Sequence, residues 1–168
     1  MQNVAILDSQ LVAQLTGAQT PALGSTRGLV ERLFVSRVDG TSQPYALYVP
    51  TPLPADLSVV LLLHGRLQSE AALLGGPYFR KLAQNTGSIL VAPYGRDLYD
   101  FAEPAGTEAY QILDEVVDAF HVGGASRFSC RLLHGWFFSL QNRSYSCRPL
   151  GRRDVYFRSN SKQWDVGC

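Results

Sequence analysis

The sequence has no long apolar run, no paired-cysteine motif and only three histidines. Each shortage removes a class of function. No apolar stretch approaches the roughly 20 residues that a membrane-spanning helix needs. The N-terminus has no basic segment, and Asp8 interrupts its one apolar start, so it does not read as a secretory leader. The expectation is a cytoplasmic protein without a membrane partner. Cys130, Cys147 and Cys168 are far apart and form no Cys-x-x-Cys pair, which argues against a zinc site. No metal and no cofactor is called for. Asn142-Arg143-Ser144 fits a glycosylation sequon, but without a leader it carries no weight. Internal repeats are also missing: Leu-Leu-His-Gly occurs at 62–65 and at 132–135, but the flanks differ.

What is present is an ordinary globular composition, 46% hydrophobic and 17% charged over 168 residues, enough for one domain with a core. The net charge of +1 hides a break near Val122. Residues 1–122 carry 7 Lys+Arg against 12 Asp+Glu, whereas residues 123–168 carry 8 against 2. All three cysteines and both tryptophans fall in that second segment. The chain therefore divides into a weakly patterned segment 1–28, a domain part 29–122 and a basic, Cys-, Arg- and Ser-rich tail 123–168. The tail has no recognisable nucleic-acid motif, so nucleic acid is not expected as a partner.

In the first segment Leu11, Val12 and Leu15 predict one face of a short helix after Ser9. Val30 to Val38 and Gln43 to Val49 read as two strands of an antiparallel hairpin turned at Asp39-Gly40. Pro50, Pro52 and Pro54 end it. The run 57–63 is apolar on both faces, as a buried parallel strand is, and it stops abruptly at His64-Gly65-Arg66. A helical piece Ser69 to Leu74 follows. A second helix opens on Pro77 and closes at Gly87, and a second buried strand runs from Ser88 to Ala92. This is a βαβ unit. A polar, aromatic loop 94–106 leads to a helix predicted over Thr107 to His121. Thr107 is its expected cap, and Ala109, Ile112, Leu113, Val116, Val117 and Phe120 form its apolar face. A third parallel strand is due next, but 123–127 gives no sign of one. Leu132, Leu133, Trp136, Phe137 and Phe138 are the only apolar strand candidate in the tail, and nothing after Pro149 shows an amphipathic pattern. A sheet stopped after its second parallel strand would leave an edge open to self-association.

The fold class is α/β: an N-terminal antiparallel hairpin followed by parallel strands flanked by helices. Gln43-Pro44-Tyr45-Ala46-Leu47-Tyr48-Val49-Pro50, the strand ending Leu62-Leu63-His64-Gly65, and Val91-Ala92-Pro93-Tyr94-Gly95 after the next helix resemble the N-terminal half of an α/β-hydrolase. The nearest subgroups are the serine esterases and the prolyl-oligopeptidase-like hydrolases. The resemblance covers roughly residues 30–122 and implies an incomplete sheet of that type. It also implies an oxyanion-hole loop at His64, Gly65 and Arg66, with the Arg66 N–H as donor, because a tetrahedral intermediate needs donors aimed where charge develops. The implied substrate is a small ester or a peptide. The family nucleophile is a serine in Gly-x-Ser-x-Gly, followed along the chain by Asp and then His. This sequence contains no Gly-x-Ser-x-Gly, and no histidine follows His134. The expectation is a truncated and inactive hydrolase with no assignable catalytic residue.

Tyr94, Asp97 and Tyr99 lie where an open α/β sheet binds ligands, just past the carboxyl end of a strand, and are the candidate pocket loop. The plainer account of Asp97, Asp100 and Glu103 is a solvated loop. His121 falls in the last turn of an acidic helix, where a cation is favoured. A competing class is a non-enzymatic binding module that uses the 94–106 loop and the basic tail.

The abrupt change at Val122 suggests that the coding frame slips there. Arg131 to Trp136 can be encoded CGG CTT CTC CAT GGG TGG, followed by TTT. Read one nucleotide later, this spells Gly-Phe-Ser-Met-Gly-Gly. Arg153 to Arg158 can likewise give Val-Met-Ser-Ile-Ser-Gly.

Overall fold

The computed structural model describes residues 2–65, 68–97, 101, 103–122, 127–131, 156–160 and 163–167. Helix α1 (Gln2–Leu15) leads into the hairpin β1 (Gly28–Val35) and β2 (Ser42–Val49). Strand β3 (Ser58–Leu63) follows, then α2 (Glu70–Gly75), α3 (Pro77–Thr86) and β4 (Ser88–Pro93). Helix α4 (Ala105–Ala119) leads to β5 (Arg127–Arg131). The five strands form one sheet in the order β1-β2-β4-β3-β5. β1–β2 and β2–β4 are antiparallel, while β3 is parallel to both β4 and β5.

Alternation along the strands sends residues to two faces. Leu47, Val59, Leu61, Ile89 and Val91 meet the apolar face of α4, where Ile112, Val116 and Val117 are buried. Ala46, Leu62, Leu90 and Ala92 meet α2 and α3 through Leu73, Leu74 and Ala83. Each large aliphatic side chain so buried contributes about 1.5–3 kcal/mol relative to exposure. The hairpin, the βαβ unit and the six apolar positions of α4 are as the sequence predicts. Pro77 stands in the first turn of α3, and Gly87 closes it with φ +68 in the left-handed region. Ser69 caps α2 by accepting from the Ala72 N–H at 3.1 Å.

Several expectations are corrected. Helix α1 starts at Gln2, not after Ser9, and Val12 and Leu15 are exposed while Leu7 is fully buried. The docking residues include two glutamines. Gln10 Oε1 accepts from the Glu31 N–H at 2.8 Å, Gln14 Oε1 accepts from the Leu33 N–H at 3.0 Å, and Gln14 Nε2 donates to the Glu31 carbonyl at 2.8 Å. They satisfy the open edge of β1, a need that apolar periodicity does not register. β1 ends at Val35 rather than Val38, because Ser36 to Thr41 form the turn and the Ser36 N–H donates to the Thr41 carbonyl at 2.9 Å. Helix α4 starts at Ala105, so Thr107 lies inside its first turn and donates to Glu103 Oε2 at 2.7 Å instead of capping.

The third parallel strand that the sequence does not announce is β5, paired with β3 from Val59↔Arg127 to Leu63↔Arg131. The edge of β3 expected to be open is therefore covered. The apolar candidate at 132–138 lies outside the described residues. A separate two-stranded antiparallel sheet, β6 (Tyr156–Asn160) with β7 (Gln163–Gly167), occurs in the segment without amphipathic pattern. Among the described residues no helix is long and apolar enough to cross a membrane.

Under α1, Glu31 is 1% exposed and Glu70 4%. Burial first, then the hydrogen bond and charge of Glu70 and the charge of Asp8, push Glu31 up to about 8. A raised acid stabilises the fold fully below its unfolded value near 4.5 and loses that contribution as pH rises through about 8. Urea unfolding of the chain should therefore show stability falling between pH 5 and 9, and Glu31→Gln should flatten the fall. An equal fall in both proteins would contradict the assignment.

Candidate functional site

The carboxyl ends of β3 and β4 lie side by side, because the two strands are parallel and adjacent. His64 leaves β3 there and is buried, with 6% exposure. Its Nε2 lies 2.8 Å from the Tyr94 carbonyl at the end of β4, and its Nδ1 lies 3.1 Å from the Gly65 carbonyl. Both partners are carbonyl oxygens, which only accept, so a neutral imidazole donates to one of them at a time. The ring also packs edge-to-face on Phe101, with centroids 5.2 Å apart. His64 thus joins two strand ends. The Tyr94 N–H donates to the Pro44 carbonyl at 3.2 Å, which extends the tie to β2.

After Tyr94 the backbone turns twice through the left-handed region, at Gly95 (φ 69) and Arg96 (φ 54). Gly95 cannot be replaced without movement, since a Cβ there would lie 2.7 Å from the Phe101 ring. Arg96 has a Cβ and takes up this conformation at a cost of order 1–2 kcal/mol. Its guanidinium is held from three sides. Nε donates to both Glu108 carboxylate oxygens, at 2.8 and 3.0 Å, and the side chain also reaches Asp39 Oδ2 at 2.8 Å and Thr41 Oγ1 at 3.1 Å. Glu108, in the first turn of α4, is buried. Hydrogen bonds to Glu108 and then Asp39 hold the Arg96 cation further above its already high value. Hydrogen bonds from Arg96 and then Thr41 hold the Asp39 carboxyl well below the usual carboxylate range. The β1–β2 turn, the loop after β4 and the start of α4 are joined by this one cation.

Of the residues predicted for the site, His64, Gly65 and Tyr94 come together at this edge. Asp97 ends a short 3₁₀ turn, Gly95–Asp97, just beyond Arg96. Arg66 and Tyr99 lie outside the described residues. Arg96, Glu108, Asp39 and Phe101 escaped the sequence reading as a set. Arg96 directly after Gly95 was the one available signal; its partners are distant in sequence. The recess at this edge, lined by Phe34, Pro44, Tyr94 and Ile112 among others, has no room for a water-sized molecule. Among the described residues no group of three or more His, Cys, Asp or Glu side chains is placed to hold a metal ion.

No family model and no curated protein matches the sequence. Solved structures do match the fold. FphF, a fluorophosphonate-binding serine hydrolase of Staphylococcus aureus, superposes with a TM-score of 0.53 at 15% identity, over 63% of this chain and 48% of that one. S-formylglutathione hydrolase FrmB of the same organism gives 0.51 at 16% identity, over 64% and 48%. An acetyl xylan esterase from Aspergillus awamori gives 0.50 at 11% identity, over 60% and 42%. The fold is that of the α/β-hydrolases. The chain spans about half the length of these structures or less. In α/β-hydrolase terms, the His64–Tyr94 tie and the Arg96 cluster stand at the carboxyl edge of the sheet, where such folds place their chemistry.

Removing the Arg96 cation leaves Glu108 buried without its counter-charge. Arg96→Ala should cost about 3 kcal/mol, the low end for breaking a buried pair because Arg96 itself is partly exposed. Arg96→Lys should recover only part of this, since an ammonium cannot grip both carboxylate oxygens as the planar fork does. Chemical denaturation of the two variants checks this, and a loss below about 0.5 kcal/mol in Arg96→Ala would show the cluster to be a surface pair.

Proposed function

We propose that the chain is the scaffold part of a serine hydrolase acting on small carboxylic esters, with peptides as the less favoured substrate, and that the chain as it stands turns nothing over. The observation that carries this reading is β3 ending in His64-Gly65 at the carboxyl edge of an α/β-hydrolase sheet, clamped to the end of β4. The next backbone N–H belongs to Arg66, the proposed oxyanion donor. Buried and bonded to Tyr94, His64 shapes the turn and is not offered as a base. Tyr94, Asp97 and Tyr99 are the proposed pocket loop. Two neighbours are named as an S-formylglutathione hydrolase and an acetyl xylan esterase, which favours an ester or thioester carbonyl over an amide. The parent reaction is acyl transfer: a serine oxygen adds to the carbonyl carbon, the alcohol or thiol leaves, and water then cleaves the acyl-enzyme. Truncation and inactivity rest on the missing Gly-x-Ser-x-Gly and the missing histidine after His134.

No described strand pairs with the far side of β5, so any self-association is proposed for that edge. The binding-module alternative has less support from the 94–106 loop, because Gly95, Arg96 and Phe101 are engaged with other parts of the domain. It rests on the basic tail.

Purified chain 1–168 should neither hydrolyse short-chain aryl esters nor become labelled by a fluorophosphonate probe. Stoichiometric labelling of one serine, abolished by changing that serine to alanine, would overturn the proposal of inactivity.

A further inference from the structure

Strand β5 and its own sequence disagree. A parallel strand in an α/β sheet is covered on both faces and reads as a continuous apolar run. β3 is Ser-Val-Val-Leu-Leu-Leu and β4 is Ser-Ile-Leu-Val-Ala-Pro. β5, parallel to β3, is Arg-Phe-Ser-Cys-Arg. It pairs in parallel with β3, as a third parallel strand does, yet four of its five residues are Arg, Ser or Cys. Conflicts of this kind between local sequence and global fold are rare in sequences selected to fold.

The conflict disappears one nucleotide downstream. Arg127 to Trp136 can be encoded CGT TTT TCT TGC CGG CTT CTC CAT GGG TGG, with TTT for Phe137. The plus-one reading is Val-Phe-Leu-Ala-Gly-Phe-Ser-Met-Gly-Gly. Its first half is the apolar strand that β5 should be, and its second half is Gly-x-Ser-x-Gly, the strand-to-helix nucleophile turn. Several of these letters are constrained. Trp136 followed by Phe137 forces glycine in the plus-one frame whatever the codons, at the position directly after the motif. His134 followed by Gly135 allows only Met or Thr, and no stop codon can arise between Arg131 and Trp136. The other shifted frame cannot encode the motif at all. There Gly135-Trp136 gives only Leu, Met or Val, never the second glycine.

Leu63 pairs with Arg131, so β5 ends at the same edge of the sheet as β3, which runs into His64-Gly65. We propose that the coding frame slips between the codons of Val122 and Arg127. The plus-one frame then carries the nucleophile, a serine encoded across the codons of Leu133 and His134. This rests on the hydrolase reading given above and adds to it a specific nucleophile.

The test is the nucleotide sequence from the codon of His121 onward. The expected result is an open plus-one frame that encodes Gly-x-Ser-x-Gly across the codons of Arg131 to Trp136. A stop codon before Trp136, or any other residue in place of that serine or either glycine, overturns the inference and leaves the fold-based reading untouched. The second arm is the frame-restored protein, shown to be folded by a cooperative unfolding transition and treated with a fluorophosphonate. The serine oxygen should displace fluoride from phosphorus at that one residue, with labelling lost when the serine is changed to alanine. Codons present in a folded product that stays unlabelled would overturn the hydrolase reading itself, and with it the assignment of the nucleophile.

Discussion

A strand paired on both sides and packed on both faces has little water for its backbone or its side chains. β3 is that strand, and the rest of the domain follows from its constraint. Its backbone groups pair with β4 on one side and β5 on the other. Val59 and Leu61 face α4, while Val60 and Leu62 face α2 and α3. Five aliphatic residues in succession meet this demand, and Gly65 releases the chain where the demand ends. Helices on both faces are then required, since either face left bare would expose an apolar patch.

At the carboxyl edge polar interactions take over from packing. His64 Nε2 and the Tyr94 carbonyl bind the ends of two parallel strands. Arg96 binds the turn at Asp39 and Thr41 to the first turn of α4 at Glu108. The left-handed backbone at Arg96 is tolerated because these bonds hold it. A loop fixed in this way presents a defined backbone, which a solvated loop does not. The lateral edge of the sheet is treated differently: α1 lays Gln10 and Gln14 along the outer edge of β1, where Glu31 and Glu70 are buried.

How much of this was legible in the sequence depended on periodicity. The helix at 107–121 and the strands at 57–63 and 88–92 announce themselves through burial, and the structure has them within two residues. The cap at Gly87 was readable because it has a local chemical reason. Gln10, Gln14 and Arg96 were not, because a polar residue that bonds across 17 to 55 positions looks like a solvated one until its partner is in place. Of the site, His64-Gly65 was legible as a strand exit, and its clamp to Tyr94 was not. Glu108 was legible only as an acid near a helix start; its burial comes from the loop that folds over it. β5 was invisible for another reason: its residues carry no strand pattern of the buried kind, and only its place beside β3 reveals it.

The central claim is therefore spatial: β5 continues the parallel sheet beside β3, its last residue Arg131 paired with Leu63 just before His64-Gly65. Residue-resolved hydrogen exchange on chain 1–168 tests it most directly. The account predicts that amides of 127–131 which bond to β3 exchange as slowly as those of 58–63 and are released in the same cooperative opening. Exchange of 127–131 at the rate of an unstructured chain, with 58–63 still protected, would contradict it.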